Sequence, residues 1–82
     1  MSDGPTGDVA LSLDTRGLLC PIPIIELAKR IKDVDIGAVV EVLSDDPAAR
    51  ADIPAWCRMR SHDYLGERPA DNATAYLIRR SE

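Results

Sequence analysis

The residue of this chain best placed to do chemistry is Cys20, in the run Arg16-Gly17-Leu18-Leu19-Cys20-Pro21-Ile22-Pro23. Upstream, Val9, Leu11 and Leu13 alternate with Ala10, Ser12 and Asp14, the period of a half-buried strand. Downstream, Ile24, Leu27, Ala28 and Ile31 fall at i, i+3, i+4 and i+7, an apolar stripe on one helix face. The thiol is therefore expected where a strand hands over to a helix, at the helix N-terminus. Pro21 and Pro23 suit a first helical turn, where a missing N–H is no loss, and they stiffen the backbone around the sulfur. Gly17 lets the loop take φ values that other residues avoid. Unpaired N–H groups and the helix dipole favour the thiolate there, and Arg16 adds a positive field if the loop folds back. The chemistry this predicts is that of a presented nucleophilic thiol. The plainer alternative is a small buried hydrophobe, the commonest fate of a lone cysteine.

The remaining reactive residue types read as structural. Cys57 lies on an apolar face with Ala49, Ile53 and Trp56, which predicts an inert core thiol rather than a resolving partner for Cys20. Thioredoxin-type exchange uses Cys-x-x-Cys, and position 23 is Pro. Asp45 and Asp46 end a strand before Pro47, so Asp46 is expected as an N-cap and no metal site is implied. His62 is expected at a solvent edge, opening a strand, rather than as a base for Cys20. Lys29, Arg30 and Lys32 close the first helix, where they complement its dipole; a docking patch for an acidic partner is the alternative.

These residues need elements to hold them. A helix is predicted over 21–32, a strand over 38–44 with apolar side chains on both faces and hence central, and a helix over 47–60. Pro54 is expected to kink or restart that second helix, with Asp52 as a second cap. Strands over 62–69 and 74–79, joined through Ala70, Asp71, Asn72 and Ala73, complete the order β-α-β-α-β-β. That order predicts a two-layer α/β sandwich, with two helices on one face of a four-stranded mixed sheet. The other face should carry Ser12 and Glu41, with an apolar patch left by the central strand.

With 82 residues the chain makes one small domain, and with no Phe, one Trp and two Tyr its core must be aliphatic. Residues 1–8 read as a disordered tail and 9–82 as the domain. A net charge of −4 argues against direct nucleic-acid binding. No run is long or apolar enough to cross a membrane, and nothing resembles a secretory signal. Two cysteines make no disulfide scaffold, so a cytoplasmic protein with reduced thiols is expected.

Leu13-Asp14 followed by Gly17, Cys20, Pro21 and Pro23 resembles the TusA/SirA-like family of small sulfur-carrier proteins, whose signature is Cys-Pro-x-Pro at the start of the first helix. The resemblance continues through Asp45-Asp46-Pro47, Asp52-Ile53-Pro54-Ala55-Trp56-Cys57, His62 and Tyr76-Leu77-Ile78-Arg79-Arg80, and so covers roughly residues 9 to 80. It implies the same fold and a sulfurtransferase role. Cys20 would take a sulfane sulfur from a cysteine desulfurase or rhodanese-like donor, hold it as a persulfide, and pass it to a downstream acceptor protein. No metal or organic cofactor is implied. Family destinations include transfer-RNA thiolation, sulfur oxidation, and molybdenum-cofactor or selenium metabolism. Ile22 stands where the family often carries an acid, which weakens the transfer-RNA route. The competing class is a non-catalytic regulatory or interaction module in which Cys20 is structural.

Overall fold

The computed structural model describes residues 9–82; the tail expected over 1–8 lies outside the described residues. Its elements run β1 (Val9–Asp14), α1 (Ile22–Arg30), a 3-10 turn (Ile31–Asp33), β2 (Val39–Ser44), α2 (Ala49–Arg60), β3 (Asp63–Ala70) and β4 (Ala73–Arg79). The strands form one sheet in the order β1-β2-β4-β3. β1 and β2 are parallel, and β4 pairs antiparallel with both β2 and β3. This is the expected mixed four-stranded sheet with two helices.

β2 is central, as its two apolar faces require, with Val39, Val40 and Val42 all buried. One core joins the layers: Leu27 of α1 and Ile31 of the turn that follows it, and Ala49, Ile53, Trp56 and Cys57 of α2, pack with Leu13, Val40, Val42, Tyr76 and Ile78. Because β1 and β2 are parallel and each leads into a helix, α1 and α2 start at the same end of the molecule. That shared end positions the site.

Several local expectations need correction. α1 begins at Ile22, with Pro21 as its cap residue, and its last predicted residues tighten into the 3-10 turn. α2 runs unbroken through Pro54. The carbonyl of Arg50 forgoes a helical partner there, but Arg50 is exposed and water can take its place. The chain leaves α2 through Ser61, in the left-handed region at φ 63, whose N–H joins that of His62 on the Cys57 carbonyl. β3 therefore opens at Asp63, not His62. It extends to Ala70, and the hairpin turn shrinks to Asp71 and Asn72, with Asn72 at φ 52. Pro69 is tolerated because β3 is an edge strand, where its missing N–H breaks no inner ladder.

The open face of the sheet carries Ser12 and Glu41, as expected, but the predicted bare patch is filled. Ser12 Oγ donates to Glu41 Oε1 at 2.8 Å and Arg68 Nη2 to Glu41 Oε2 at 2.9 Å. Val39, Ala75 and Leu77 on the paired strands are buried. Beyond β4, Arg80 extends the ladder: its N–H reaches the Ala38 carbonyl at 2.9 Å and its own carbonyl takes the Gly37 N–H at 2.7 Å. Its guanidinium bonds the Val34 carbonyl at 2.7 Å.

Candidate functional site

The loop from Thr15 to Pro21 is fastened to the end of β2 before it reaches Cys20. Thr15, itself buried, donates twice to the Leu43 carbonyl, from N–H at 2.9 Å and from Oγ1 at 2.6 Å. A turn follows, closed by Leu18 N–H on the Thr15 carbonyl at 3.1 Å. Gly17 occupies its third position at φ 85, which a type II turn demands. A Cβ there would meet nothing within 4 Å, so glycine is required by the dihedral and not by a close approach.

Carboxylates from the loop after β2 then hold the main chain. Both Asp45 oxygens accept from Gly17 N–H at 3.1 Å. Asp46 Oδ2 accepts from Cys20 N–H at 2.7 Å, while its Oδ1 accepts from Ala48 N–H at 3.1 Å. Asp46 is not the N-cap expected of it: α2 starts at Ala49 behind Ala48, with no side-chain cap bond, and Asp46 instead closes the turn before the helix with one oxygen and anchors Cys20 with the other. These main-chain bonds hold its carboxyl below the usual range. The Cys20–Pro21 peptide is cis, and Pro23 is buried in the first turn of α1.

Cys20 is half-buried against the core edge, two residues ahead of α1. Its surroundings overturn the expectation of a stabilised thiolate. Burial first, then hydrogen bonding to Asp52 and the negative charges of Asp46 and Asp52, push the thiol up to about 11. A helix terminus offers about 0.3–1 kcal/mol, less than the ~1.4 kcal/mol of a single pKa unit, so the dipole of α1 does not prevail. Nor does Arg16 supply a cation. Its Nε and Nη2 fork onto Asp14 Oδ1 and Oδ2 at 2.9 and 2.8 Å, and Nη1 bonds the Asp71 carbonyl at 3.3 Å. That fork lowers Asp14 to about 2 and makes Arg16 a brace for the loop.

The chain around Cys20 carries exposed apolar side chains, Leu18, Leu19, Ile22 and Ile25, with Leu19 70 % exposed. A shallow cleft of about 320 Å³ lies beyond Asp46, lined by Asp45, Arg50, Asn72, Thr74 and Tyr76 among others, and Cys20 does not line it. The site is a presented surface, not a pocket.

The other candidates fall elsewhere. Cys57 is 1 % exposed, and burial drives its thiol up to about 11. His62 is half-buried rather than at a solvent edge. It stacks on Trp56 with ring centroids 5.3 Å apart, and its Nδ1 accepts from Ser81 N–H at 3.1 Å. It follows the C-terminus of α2, whereas the carboxylates at Cys20 belong to that helix's start, so it is no base for the thiol. Sequence reasoning missed Asp46 and Asp52 as neighbours of Cys20. The available signal was the parallel βαβ unit, which brings the loops after β1 and β2 to one edge.

Fold and site together define a class: small two-layer α/β domains that present one thiol on the strand-to-helix loop after the first strand. The family model for sulfurtransferase TusA matches residues 11–80, and this chain belongs to that family. The sulfur carrier protein TusA of Pseudomonas entomophila is 36% identical over 69 residues, covering 84% of this chain and 86% of that protein. The Bacillus subtilis protein YrkF, named as a sulfur carrier, is 37% identical over 68 residues; the match covers 83% of this chain but only 37% of YrkF. Among solved structures, the SirA-like protein of Desulfitobacterium hafniense superposes with a TM-score of 0.70 at 25% identity, covering 88% of this chain and 99% of that one.

Proposed function

We propose that this protein is a sulfur carrier and that Cys20 is the residue that carries the sulfur. The observation that supports it is the placement of the thiol. It is anchored through its own N–H, half-buried, and near in sequence to the exposed Leu18, Leu19, Ile22 and Ile25, which suits a substrate that is another protein's persulfide. The Cys20 sulfur attacks the outer sulfur of a donor R–S–SH. The donor S–S bond breaks, R–S⁻ leaves and takes the proton that Cys20 gave up, and Cys20 becomes the persulfide. Discharge repeats the exchange with an acceptor thiol as the nucleophile, so neither step needs an oxidant or a cofactor.

Arg16, Gly17, Pro21 and Pro23 serve presentation in this reading: a brace, a turn, and a rigid entry into α1. The donor is a cysteine desulfurase or a rhodanese-like protein, the acceptor a further thiol protein, and the setting a reducing compartment such as the cytoplasm. The test is mass spectrometry after incubation with a cysteine desulfurase and cysteine. One added sulfur on the peptide containing Cys20, absent from Cys20→Ser, is expected. Sulfur on neither cysteine would return Cys20 to a structural role.

A further inference from the structure

We propose that His62 is a proton-operated latch, whose neutral ring holds the residues that follow β4 and whose protonation lets them go. The proposal does not depend on what Cys20 carries. A main-chain N–H can only donate, so the Ser81 N–H at 3.1 Å from Nδ1 makes that nitrogen the acceptor and puts the ring proton on Nε2. An imidazolium carries a proton on both nitrogens, and its Nδ1–H would set donor against donor at Ser81. The bond and the charge exclude each other.

The ring has little freedom to avoid that choice. It lies on Trp56, a core residue, with the two planes 28° apart. Its main-chain N–H is held on the Cys57 carbonyl at 2.9 Å, just past the left-handed Ser61. His62 nevertheless lines a shallow hollow of about 300 Å³ with Met59, Arg60, Ser61 and Glu82, so a proton reaches it without unfolding. Charged groups bear on it from each neighbouring element: Arg60 at the end of α2, Asp63 opening β3, and Arg80 and Glu82 after β4. Burial holds the ring below the ordinary histidine value of 6.5; Glu82 and Asp63 pull it up, and Arg80 and Arg60 push it down.

The latch fastens the stretch that closes the sheet. Ser81 follows Arg80, whose main chain pairs with Ala38 and Gly37 and whose guanidinium reaches the Val34 carbonyl. The bond to His62 ties that stretch to the end of α2 as well. Because the folded ring resists its proton, the bond contributes stability above the ordinary value and loses it as pH falls through the lower, folded one.

The chain has one histidine and one tryptophan, so the titration reads out without overlap. Amide NMR and hydrogen exchange from about pH 8 to about pH 5 should show the Ser81 N–H moving with one midpoint below 6.5. Its protection should fall about tenfold for each pH unit between that midpoint and the ordinary value, and Trp56 emission should change at the same midpoint. Leu77, inside β4, should keep its protection. Glu82→Gln removes a charge that favours the imidazolium and should lower the midpoint. His62→Phe keeps a ring on Trp56 but accepts nothing, and should leave Ser81 unprotected at every pH. If that variant unfolds, seen as lost Leu77 protection, the parent chain and Glu82→Gln decide. A Ser81 amide indifferent to pH in the parent overturns the proposal, as does a midpoint at or above 6.5. So does a transition that persists in folded His62→Phe, or Leu77 losing protection with Ser81 in the parent, which would be unfolding rather than release.

Discussion

The two cysteines hold their protons about equally hard, both thiols being pushed up to about 11, yet they occupy opposite situations. Burial leads in both. At Cys57 it is the work of a closed core, Trp56 and Ile53 among it, and Arg58 pulls weakly the other way. At Cys20 carboxylates on neighbouring segments add to it, and the side chain stands at the core's edge beside exposed leucines. The comparison separates two properties that a helix-terminus argument runs together. Access makes Cys20 the available thiol; acidity does not.

The sharpest way to break the comparison is to exchange the sulfurs. Cys20→Ser should abolish sulfur acceptance while shifting stability by less than about 1 kcal/mol, since the side chain is only partly packed. Cys57→Ser should keep acceptance and instead cost about 1–3 kcal/mol for a hydroxyl buried in an apolar site. Mass spectrometry after loading, paired with urea denaturation, reads both; acceptance surviving in Cys20→Ser would transfer the site to Cys57.

Alkylation kinetics give the next largest contrast. Cys20 should label first, at a rate that climbs about tenfold per pH unit through neutral and mildly alkaline pH, without a plateau until near 11. Cys57 should label only as the fold opens. A plateau near pH 7 would show a stabilised thiolate after all. The same raised values bear on stability. A thiol whose folded value exceeds its unfolded one contributes stability below the unfolded value, and that contribution is lost as pH rises to about 11. Denaturation midpoints should therefore fall between about pH 9 and 11, less so in Cys57→Ser.

Trp56→Ala removes the cover over Cys57 and the stacking partner of His62, and should cost about 3–5 kcal/mol. A nearly unchanged denaturation midpoint would place Trp56 outside the core. The smallest effect should come from Gly17→Ala. Space is available, but φ 85 is not comfortable for alanine, so a loss of about 1 kcal/mol and slower loading of Cys20 are expected. A stabilised Gly17→Ala would mean that the turn is not held as described.

Much of this was legible in the chain itself, because each element announces its own period. The alternation before Gly17, the stripe from Ile24 to Ile31 and the doubly apolar β2 are local patterns, and the core uses them as written. What was not legible depends on how distant segments meet. Asp52 reads as a cap beside Pro54, whereas in the unbroken α2 it lies in the first turn and its charge bears on the Cys20 thiol. Arg16 is a local exception: it reads as a free cation until Asp14, two residues back, claims it. Pro54 misled in the opposite direction. A helix committed on one face by Ile53, Trp56 and Cys57 tolerates the lost hydrogen bond without ending.

The sheet order has a consequence for how the protein comes into being. β4 follows the other three strands in sequence but lies between β2 and β3, and Arg80 then closes the segment around Gly37 and Ala38. A nascent chain that has already exposed Cys20 and α1 to solvent thus lacks the strand that separates its central strand from its edge. The β1-α1-β2 unit has no inner neighbour until residues 73–79 are in place, so β2 is paired on both sides only once β4 has inserted between it and β3.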